Sequence, residues 1–352
     1  MNCIISKDMQ EIYSCNLPWN ELNGRTVLLT GAYGMLASYL VYFLLWLKKK
    51  EIDVHLIVAV RNKDKFYSKF SDIDDLERVK IIESDLSEQL DIEEKIDYII
   101  HAASLASPQY YSVCPVDVLM PNTIGNYYLL QLAKEKNVKG FLLFSSCDIY
   151  GEPNAINGLI DENSYGRMDT LDIHNCYSES KRMAETMCKS FYVQYGINTK
   201  IARIAHTYAP TMDIENDPRV FASFIKNITL GHDIVMKSDG SGKRSFCYIT
   251  DAIAGYFTIL LKGTSGEAYN VCNTSQYVSI KELADILVSI VPEKNLKVIR
   301  KERDISEHYT ENTLLVGCDN VPDNSKLKSL GWNANIDIKE GFRRVLNNLG
   351  CH

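Results

Sequence analysis

Short apolar runs rich in β-branched residues alternate with helical stretches through the first 205 residues. Strands that read as continuous apolar runs are typical of a parallel sheet covered on both faces, so this rhythm predicts an α/β fold. The predicted strands are Thr26–Thr30, His55–Val60, Val79–Ile82, Ile96–His101, Gly140–Phe144 and Thr199–Ile204. The main helices are predicted at Met35–Leu47, Asn122–Lys136 and Tyr177–Tyr195.

After the sixth predicted strand the rhythm changes to loops and shorter elements. We expect a doubly wound Rossmann domain over residues 21–205, completed by a returning segment at 241–262. A smaller α/β C-terminal domain that binds the substrate is expected from residues 206–240 and 263–352. Residues 1–20 are interpreted as an N-terminal extension. Candidate motifs fall at the carboxyl ends of predicted strands, where such sheets bind their ligands.

Composition narrows the possible partners of this 352-residue chain. Its formal net charge of −7 disfavours a nucleic-acid partner, because binding a polyanion usually requires a basic face. The apolar run Met35–Leu47 is shorter than the roughly 17–25 residues that span a bilayer, so it predicts a buried helix and no membrane association. Ten cysteines without a CxxC pair and a polar N-terminus predict reduced thiols, a cytoplasmic location and no metal site.

The segment Thr30–Ala37 (TGAYGMLA) lies between the first predicted strand and the long apolar helix. Its small residues let the backbone turn tightly and approach a pyrophosphate, whose charge faces the N-terminus of the helix. Ala37 replaces the third glycine of such loops, which is tolerated because that position governs only helix–strand packing. We therefore predict a bound dinucleotide. The residues expected to contact it are Gly31, Tyr33, Gly34, Met35 and Leu36.

The second predicted strand ends in Val60–Lys63 (VRNK), where dinucleotide-binding folds often place an acidic residue on the ribose hydroxyls. An arginine at this point, Arg61, would suit a 2′-phosphate. The alternative interpretation of Arg61 is a basic residue in a solvated loop. NAD is the expected cofactor, and NADP stays open because of Arg61.

Three later segments follow these glycines in a characteristic order: Phe144–Gly151 (FSSCDIYG), Tyr177–Lys181 (YSESK) and Arg244–Asp251 (RSFCYITD). Together they resemble the extended short-chain dehydrogenase/reductase family of sugar-nucleotide epimerases, dehydratases and decarboxylases. The resemblance extends from about Asn23 to Asn348. It implies a nicotinamide-dependent enzyme that acts on a nucleotide diphosphosugar.

The resemblance also implies further contacts. Family members contact adenine after the third strand and the rest of the cofactor after the fourth strand and at an Asn-x-x-Gly helix start. The matching positions are Asp85, Leu86, Ala102, Ala103, Ser104 and Asn122. The positions expected to contact the substrate are Ser104, Ser146, His206, Arg219 and Arg244. A homodimer is implied through the helices that start near Tyr111–Asn122 and at Tyr177.

Tyr177 and Lys181 are four residues apart, so they share one face of a helix. A nearby ammonium and the nicotinamide cation favour phenolate, which is expected to lower the tyrosine pKa from about 10. A tyrosinate can take the proton from a sugar hydroxyl while the sugar carbon gives hydride to the nicotinamide. Ser146 is expected to hydrogen-bond the same oxygen. Taken singly, each residue has an ordinary structural interpretation.

The resemblance leaves three reactions, all through a 4-keto sugar: C4 epimerisation, 4,6-dehydration and decarboxylation. The last two typically have an acidic residue where this chain has Asp148. Cys147 is closer to the serine of UDP-glucuronate decarboxylases than to the aspartate of dehydratases, and Cys176–Cys188 also resembles the decarboxylases. We therefore expect a lyase of the decarboxylase or dehydratase type.

Alternatives stay open at this stage. An epimerase acting at C4 or C2 needs only the serine, tyrosine and lysine, and a non-catalytic NAD(P) sensor is a more distant possibility. Asp148 is shorter than the glutamate of the family and has a second interpretation as a loop carboxylate that caps the following turn. His206 replaces an asparagine of the family, and Ala209 and Thr211 replace a glycine and an arginine.

Overall fold

Strands and helices alternate along the chain. The structure is a computed structural model that describes residues 1–73, 75–153, 158–301 and 321–351. The strands are β1 (Arg25–Thr30), β2 (Val54–Val60), β3 (Lys80–Glu83), β4 (Tyr98–His101), β5 (Gly140–Ser146), β6 (Glu152–Pro153), β7 (Leu159–Ile160), β8 (Gly166–Arg167), β9 (Thr199–Ile204), β10 (His206–Tyr208), β11 (Ile234–Met236), β12 (Lys243–Tyr248), β13 (Glu267–Val271), β14 (Tyr277–Ser279), β15 (Val298–Arg300) and β16 (Val321–Pro322). The α-helices are α1 (Cys3–Ser14), α2 (Met35–Trp46), α3 (Lys63–Lys69), α4 (Gln109–Val113), α5 (Pro115–Met120), α6 (Asn126–Glu135), α7 (Cys176–Tyr195), α8 (Val220–Thr229), α9 (Ile249–Lys262), α10 (Ile280–Ile290), α11 (Ser325–Lys328) and α12 (Ile338–Asn348).

The central sheet has seven parallel strands in the order β13-β9-β5-β4-β1-β2-β3. Apolar residues of α2 and α9 cover one face of the sheet, and residues of α6 and α7 cover the other. This arrangement confirms the predicted doubly wound α/β fold. The strand order reverses between β1 and β4, which end side by side at Thr30 and His101. Ligands of such sheets bind outside the carboxyl ends of the strands at this switch point.

The predicted strands agree with the observed ones to within two residues at each end. One strand of the central sheet, β13, lies in the range predicted for the substrate domain. Its sequence, EAYNV, is too polar to stand out, because it forms the edge of the sheet. The predicted returning segment, 241–262, supplies the covering helix α9, whereas its strand β12 pairs with β10 and β14. The division into two domains stays a prediction. Residues 74, 154–157, 302–320 and 352 of the predicted domains lie outside the described residues.

The predicted buried helix is confirmed as α2, with nine of its twelve residues buried. The N-terminal extension forms α1, which packs on α2 and α9. Asp8 of α1 is fully buried and accepts hydrogen bonds from Tyr39 Oη (2.9 Å), Tyr248 Oη (2.8 Å) and Arg344 Nη1 (2.8 Å). These bonds join the first and last helices to the body of the fold. Across the described ranges, no helix combines the length and apolar character needed to cross a bilayer.

Candidate active site

The glycine loop after β1 passes directly against the end of β4. Gly31 has φ +69°, and a Cβ atom added to it would lie 2.7 Å from the Cα atom of Ala103. The Thr30 hydroxyl accepts hydrogen bonds from the backbone N–H groups of Ala102 and Ala103, both at 3.1 Å. The residue before α2, Gly34, has no side chain to cap the first N–H groups of the helix. This cradle fits the backbone-lined phosphate site that a dinucleotide requires.

The predicted adenine-side residues lie at the end of β3. Leu86 is buried with φ +66°, and a Cβ atom added to Gly125 would lie 3.0 Å from the Leu86 Cβ atom. The glycine of the Asn-x-x-Gly stretch therefore gives room for this turn. Asp85 accepts hydrogen bonds from the hydroxyl (2.5 Å) and the N–H (2.8 Å) of Ser87, which hold the pKa of its carboxyl below the ordinary value.

Asn122 lies inside a continuous helical stretch, in a π-helical turn at Pro121–Gly125 between α5 and α6. The prediction that a helix begins at Asn122 was wrong, because α5 begins at Pro115, a residue suited to a first helical position. The Asn122 amide donates to Ser180 Oγ at 2.9 Å and so joins this turn to α7. Its Oδ1 atom is buried without a hydrogen-bond partner within the described residues. Such π turns are frequent at functional sites.

The four predicted catalytic residues come together where α7 lies on the end of β5. The Ser146 hydroxyl accepts a hydrogen bond from the Asp148 N–H at 3.1 Å, and its interaction with Tyr177 acts to lower the pKa of that tyrosine. Lys181, one turn further along α7, is buried and donates from Nζ to the Phe144 carbonyl at 2.6 Å. Phe144 and Ser146 of β5 thus contact successive turns of α7.

The pKa of Tyr177 is raised above its ordinary value, first by burial and then by the charge of Asp148, although the Ser146 hydrogen bond opposes both. The expected lowering by Lys181 together with the nicotinamide cation stays a prediction, and Lys181 alone does not produce it here. The Lys181 ammonium lies 5.7 Å from the centre of the Tyr177 ring and is hydrogen-bonded to a carbonyl instead. Burial lowers the pKa of Lys181 itself to about 7.

Asp148 lies in the same buried cluster. Burial raises the pKa of its carboxyl, and the charge of Arg244 and the Ser146 hydrogen bond act in the opposite direction. The sequence analysis did not assign Tyr111 to the site, yet its ring stacks on that of Tyr177 with centroids 5.4 Å apart and planes within 9°. No sequence signal distinguishes Tyr111 from its aromatic neighbours.

The predicted substrate residues of the second half lie on and beside the small sheet of β10, β12 and β14. His206 opens β10 opposite Phe246 of β12. Burial and the charges of Arg244 and Arg219 lower the pKa of His206 to about 3, so its imidazole is neutral. Arg219 reaches the cofactor loop, because its Nη2 atom lies 3.8 Å from the sulfur of Met35.

The remaining predicted residues follow strands of the central sheet or lie at the start of α2. Ser104 follows β4, and its Oγ atom is buried without a partner within the described residues. Tyr33 and Leu36 pack partly buried against the main core on either side of the α2 start. Arg61 follows β2 and is exposed.

A buried ion pair beneath the site was not predicted. The Glu185 carboxylate accepts hydrogen bonds from Arg203 Nη2 (2.7 Å) and Nε (3.1 Å) and from Ser145 Oγ (2.5 Å). Arg203 Nη1 also donates to Tyr150 Oη at 3.0 Å. Glu185 could have been found from the sequence, because it stands four residues after Lys181 on the same helical face.

Comparisons with known proteins agree with this geometry. Residues 27–272 match the description "NAD dependent epimerase/dehydratase family". UDP-glucuronic acid decarboxylase 6 of Arabidopsis thaliana is 32% identical over 318 residues, which cover 90% of this chain and 86% of the relative.

Solved structures share the fold at lower identity. The UDP-glucose 4-epimerase of Thermotoga maritima, determined with UDP-glucose, has a TM-score of 0.75 at 20% identity and covers 92% of this chain and 98% of its own. The UDP-glucuronic acid 4-epimerase of Bacillus cereus, determined with UDP-glucuronic acid and NAD, has a TM-score of 0.74 at 19% identity, with coverages of 92% and 99%. The match over residues 27–272, together with the Arabidopsis relative, shows that the chain belongs to the NAD-dependent epimerase/dehydratase family.

Proposed function

We propose that this protein is a nucleotide-sugar lyase that decarboxylates a UDP-glucuronic-acid-type substrate through a 4-keto sugar. One observation carries the proposal: a buried carboxyl group, Asp148, lies in one cluster with Tyr177 and Ser146 and near Arg244. An epimerase has no need of this acid. The relative that is 32% identical over 90% of the chain is a UDP-glucuronic acid decarboxylase, which supports the same choice.

The cofactor of the proposed reaction binds at the switch point of the sheet. The Gly31–Gly34 turn and the start of α2 hold the pyrophosphate, Asp85 and Leu86 lie on the adenine side, and Lys181 lies on the nicotinamide side. When bound, the nicotinamide supplies the acceptor for hydride from sugar C4 and returns that hydride later, so no net NADH accumulates.

Tyr177 and Ser146 act on the oxygen at sugar C4. Tyr177 takes the proton from the C4 hydroxyl, and Ser146 holds that oxygen by a hydrogen bond. The positive charge of a bound nicotinamide would oppose the effect of Asp148 on the tyrosine pKa. Cofactor binding would therefore lower the raised pKa of Tyr177.

The 4-keto sugar derived from a uronic acid is a β-keto acid. Its C5–C6 bond breaks, the electron pair passes into an enolate between C4 and C5, and carbon dioxide leaves. The enolate then takes up a proton at C5. Because burial raises the pKa of Asp148, its carboxyl group holds a proton more readily than a free aspartic acid and can deliver it to C5.

Product analysis by NMR tests this proposal. The purified enzyme is given UDP-glucuronate, UDP-glucose, dTDP-glucose, CDP-glucose and GDP-mannose in separate reactions. We expect turnover of UDP-glucuronate to a UDP-pentose. A 4-keto-6-deoxy product from one of the hexoses would instead establish a 4,6-dehydratase.

A C4 epimerase is the second candidate. The observation that favours it is the complete arrangement of Ser146, Tyr177 and Lys181, which suffices to oxidise and then reduce one carbon. Epimerisation of UDP-glucuronate with the carboxyl group retained would establish it. The two candidates also differ in whether Asp148 is needed.

We further propose a cytoplasmic homodimer. Helices α4 to α7 expose apolar side chains on one side, including Val113 (79% exposed), Val116 (63%) and Met183 (48%), which a second copy of this chain would cover. The nine described cysteines are free thiols, which suits a reducing compartment. Sedimentation at micromolar concentration tests the dimer, and a monomer would contradict it.

A further inference from the structure

The turn that follows β2 has a cationic side chain at the position that contacts the adenosine ribose in dinucleotide-binding folds. In dinucleotide-binding folds an acidic residue here binds the ribose hydroxyls of NAD, whereas an arginine accommodates the 2′-phosphate of NADP. β2 ends at Val60 and is followed directly by Arg61. We infer that Arg61 and Lys65 form a 2′-phosphate subsite, so that this chain binds NADP more tightly than NAD.

Arg61 lies on the adenosine side of the crevice. Its charge contributes to lowering the pKa of Asp85, the residue expected to contact adenine, after the hydrogen bonds from Ser87. The side chains of Arg61 and Lys65 are exposed and take part in no ion pair or hydrogen bond within the described residues. Both cations are therefore available to an anionic ligand.

A surface cavity of about 450 Å³ is lined by Asn62, Asp64, Lys65, Ser68 and Lys69, which follow Arg61 in the sequence. Asn62 uses its Oδ1 atom to accept the Lys65 N–H at 2.8 Å, which leaves its amide N–H groups to donate. Lys69 donates to the Thr211 carbonyl at 3.0 Å, and burial lowers the pKa of its ammonium group. The cavity thus offers several donors and two ammonium groups, and its one lining carboxylate is Asp64.

The carboxylate at the end of the neighbouring strand interacts with the backbone that follows Arg61. Glu83, at the end of β3, accepts a hydrogen bond from the backbone N–H of Lys63 at 3.2 Å. A ribose with free hydroxyls would find a cation rather than a carboxylate at the residue directly after β2. A 2′-phosphate gains charge-assisted hydrogen bonds, which are about twice as strong as neutral ones, and the planar Arg61 guanidinium suits bidentate binding.

The test measures cofactor binding without any sugar, so its result is independent of the proposed reaction. The dinucleotide that copurifies with the enzyme is identified by mass spectrometry and then removed. NADP⁺ and NAD⁺ are titrated calorimetrically into the wild-type protein, R61A, K65A and the control K49A, in which an exposed lysine beyond the far end of α2 is removed. We expect wild type to bind NADP⁺ at least about tenfold more tightly, and this preference to shrink between about 50 mM and about 300 mM salt.

R61A is expected to weaken NADP⁺ binding about tenfold and NAD⁺ binding less than about twofold, with a smaller selective loss in K65A and none in K49A. Equal or tighter binding of NAD⁺ by wild type would overturn the inference. So would an R61A variant that loses both dinucleotides equally. If the bound nucleotide cannot be removed, its mass identifies it as NAD or NADP. Retained NAD would also contradict the proposed subsite.

Discussion

Replacing Glu185 with glutamine tests whether the buried ion pair beneath the site stabilises the fold and supports Lys181. The Arg203 and Glu185 side chains are only 9% and 12% exposed, so the change leaves a guanidinium buried without its counter-charge. Losing one partner of a buried pair lowers the free energy of unfolding by about 3–5 kcal/mol. Glutamine retains some of the hydrogen bonds, so we expect a loss of about 3 kcal/mol. With an unfolding entropy of about 2.1 cal/mol/K per residue, this lowers Tm by about 4 °C.

Glu179→Gln is a matched control on the same helix. Glu179 pairs with Arg182, but both side chains are 30% exposed, and exposed pairs contribute less than about 1 kcal/mol. Its Tm should fall by about 1 °C or less. Thermal unfolding followed by circular dichroism measures both variants under identical conditions. Equal shifts in the two variants would refute the reasoning.

A second readout concerns Lys181. The charge of Glu185 is the largest cause that raises the pKa of Lys181 against the effect of burial. Removing that charge should lower the lysine pKa further, so the alkaline limb of the activity profile should move to lower pH. A loss of stability with an unmoved pH profile would limit Glu185 to a structural role.

Three further predictions follow from the site. Asp148→Asn should lower turnover of the true substrate by about 10²–10⁴ while cofactor affinity stays unchanged, and nearly full turnover would favour the epimerase. Lys181→Met should abolish activity yet raise Tm. The pKa of Lys181 is about 7 in the folded protein and 10.5 in the unfolded chain, so between these pH values the unfolded chain binds one more proton. Wild-type stability therefore rises with pH over this range. The increase in Tm of the variant over wild type should be larger at about pH 6.5 than at about pH 9.5. Gly31→Ala should abolish cofactor binding in calorimetry, because its Cβ would meet Ala103; retained affinity would show that the loop adjusts.

The central sheet could be predicted because its interior strands are buried on both faces and read as apolar runs. The β5 end and the start of α7 could be predicted as well, since the residues that meet there lie at strand ends and at helical spacing. β13 was harder to recognise, because an edge strand carries polar residues. Its pairing with β9 joins segments more than sixty residues apart, which local periodicity does not report.

The electrostatics of the site depend on packing that a sequence pattern does not contain. The pKa of Tyr177 is governed first by burial, and the Glu185–Arg203 pair joins residues on different elements. The π turn around Asn122 coincides with Pro121 and Gly125, which are poor helix formers, but these residues do not by themselves indicate which type of helical turn forms. Resemblance identified the residues of the site, whereas the structure shows which interactions hold them.

The fate of the carboxyl carbon tests the proposed decarboxylation most directly. The enzyme is incubated with its cofactor and UDP-glucuronate labelled with ¹³C at C6, and carbon dioxide and nucleotide sugars are quantified by NMR. We predict one labelled carbon dioxide released for each UDP-pentose formed, without net reduction of the cofactor. Turnover in which the label stays in the nucleotide sugar would contradict the lyase and establish an epimerase or a dehydrogenase instead.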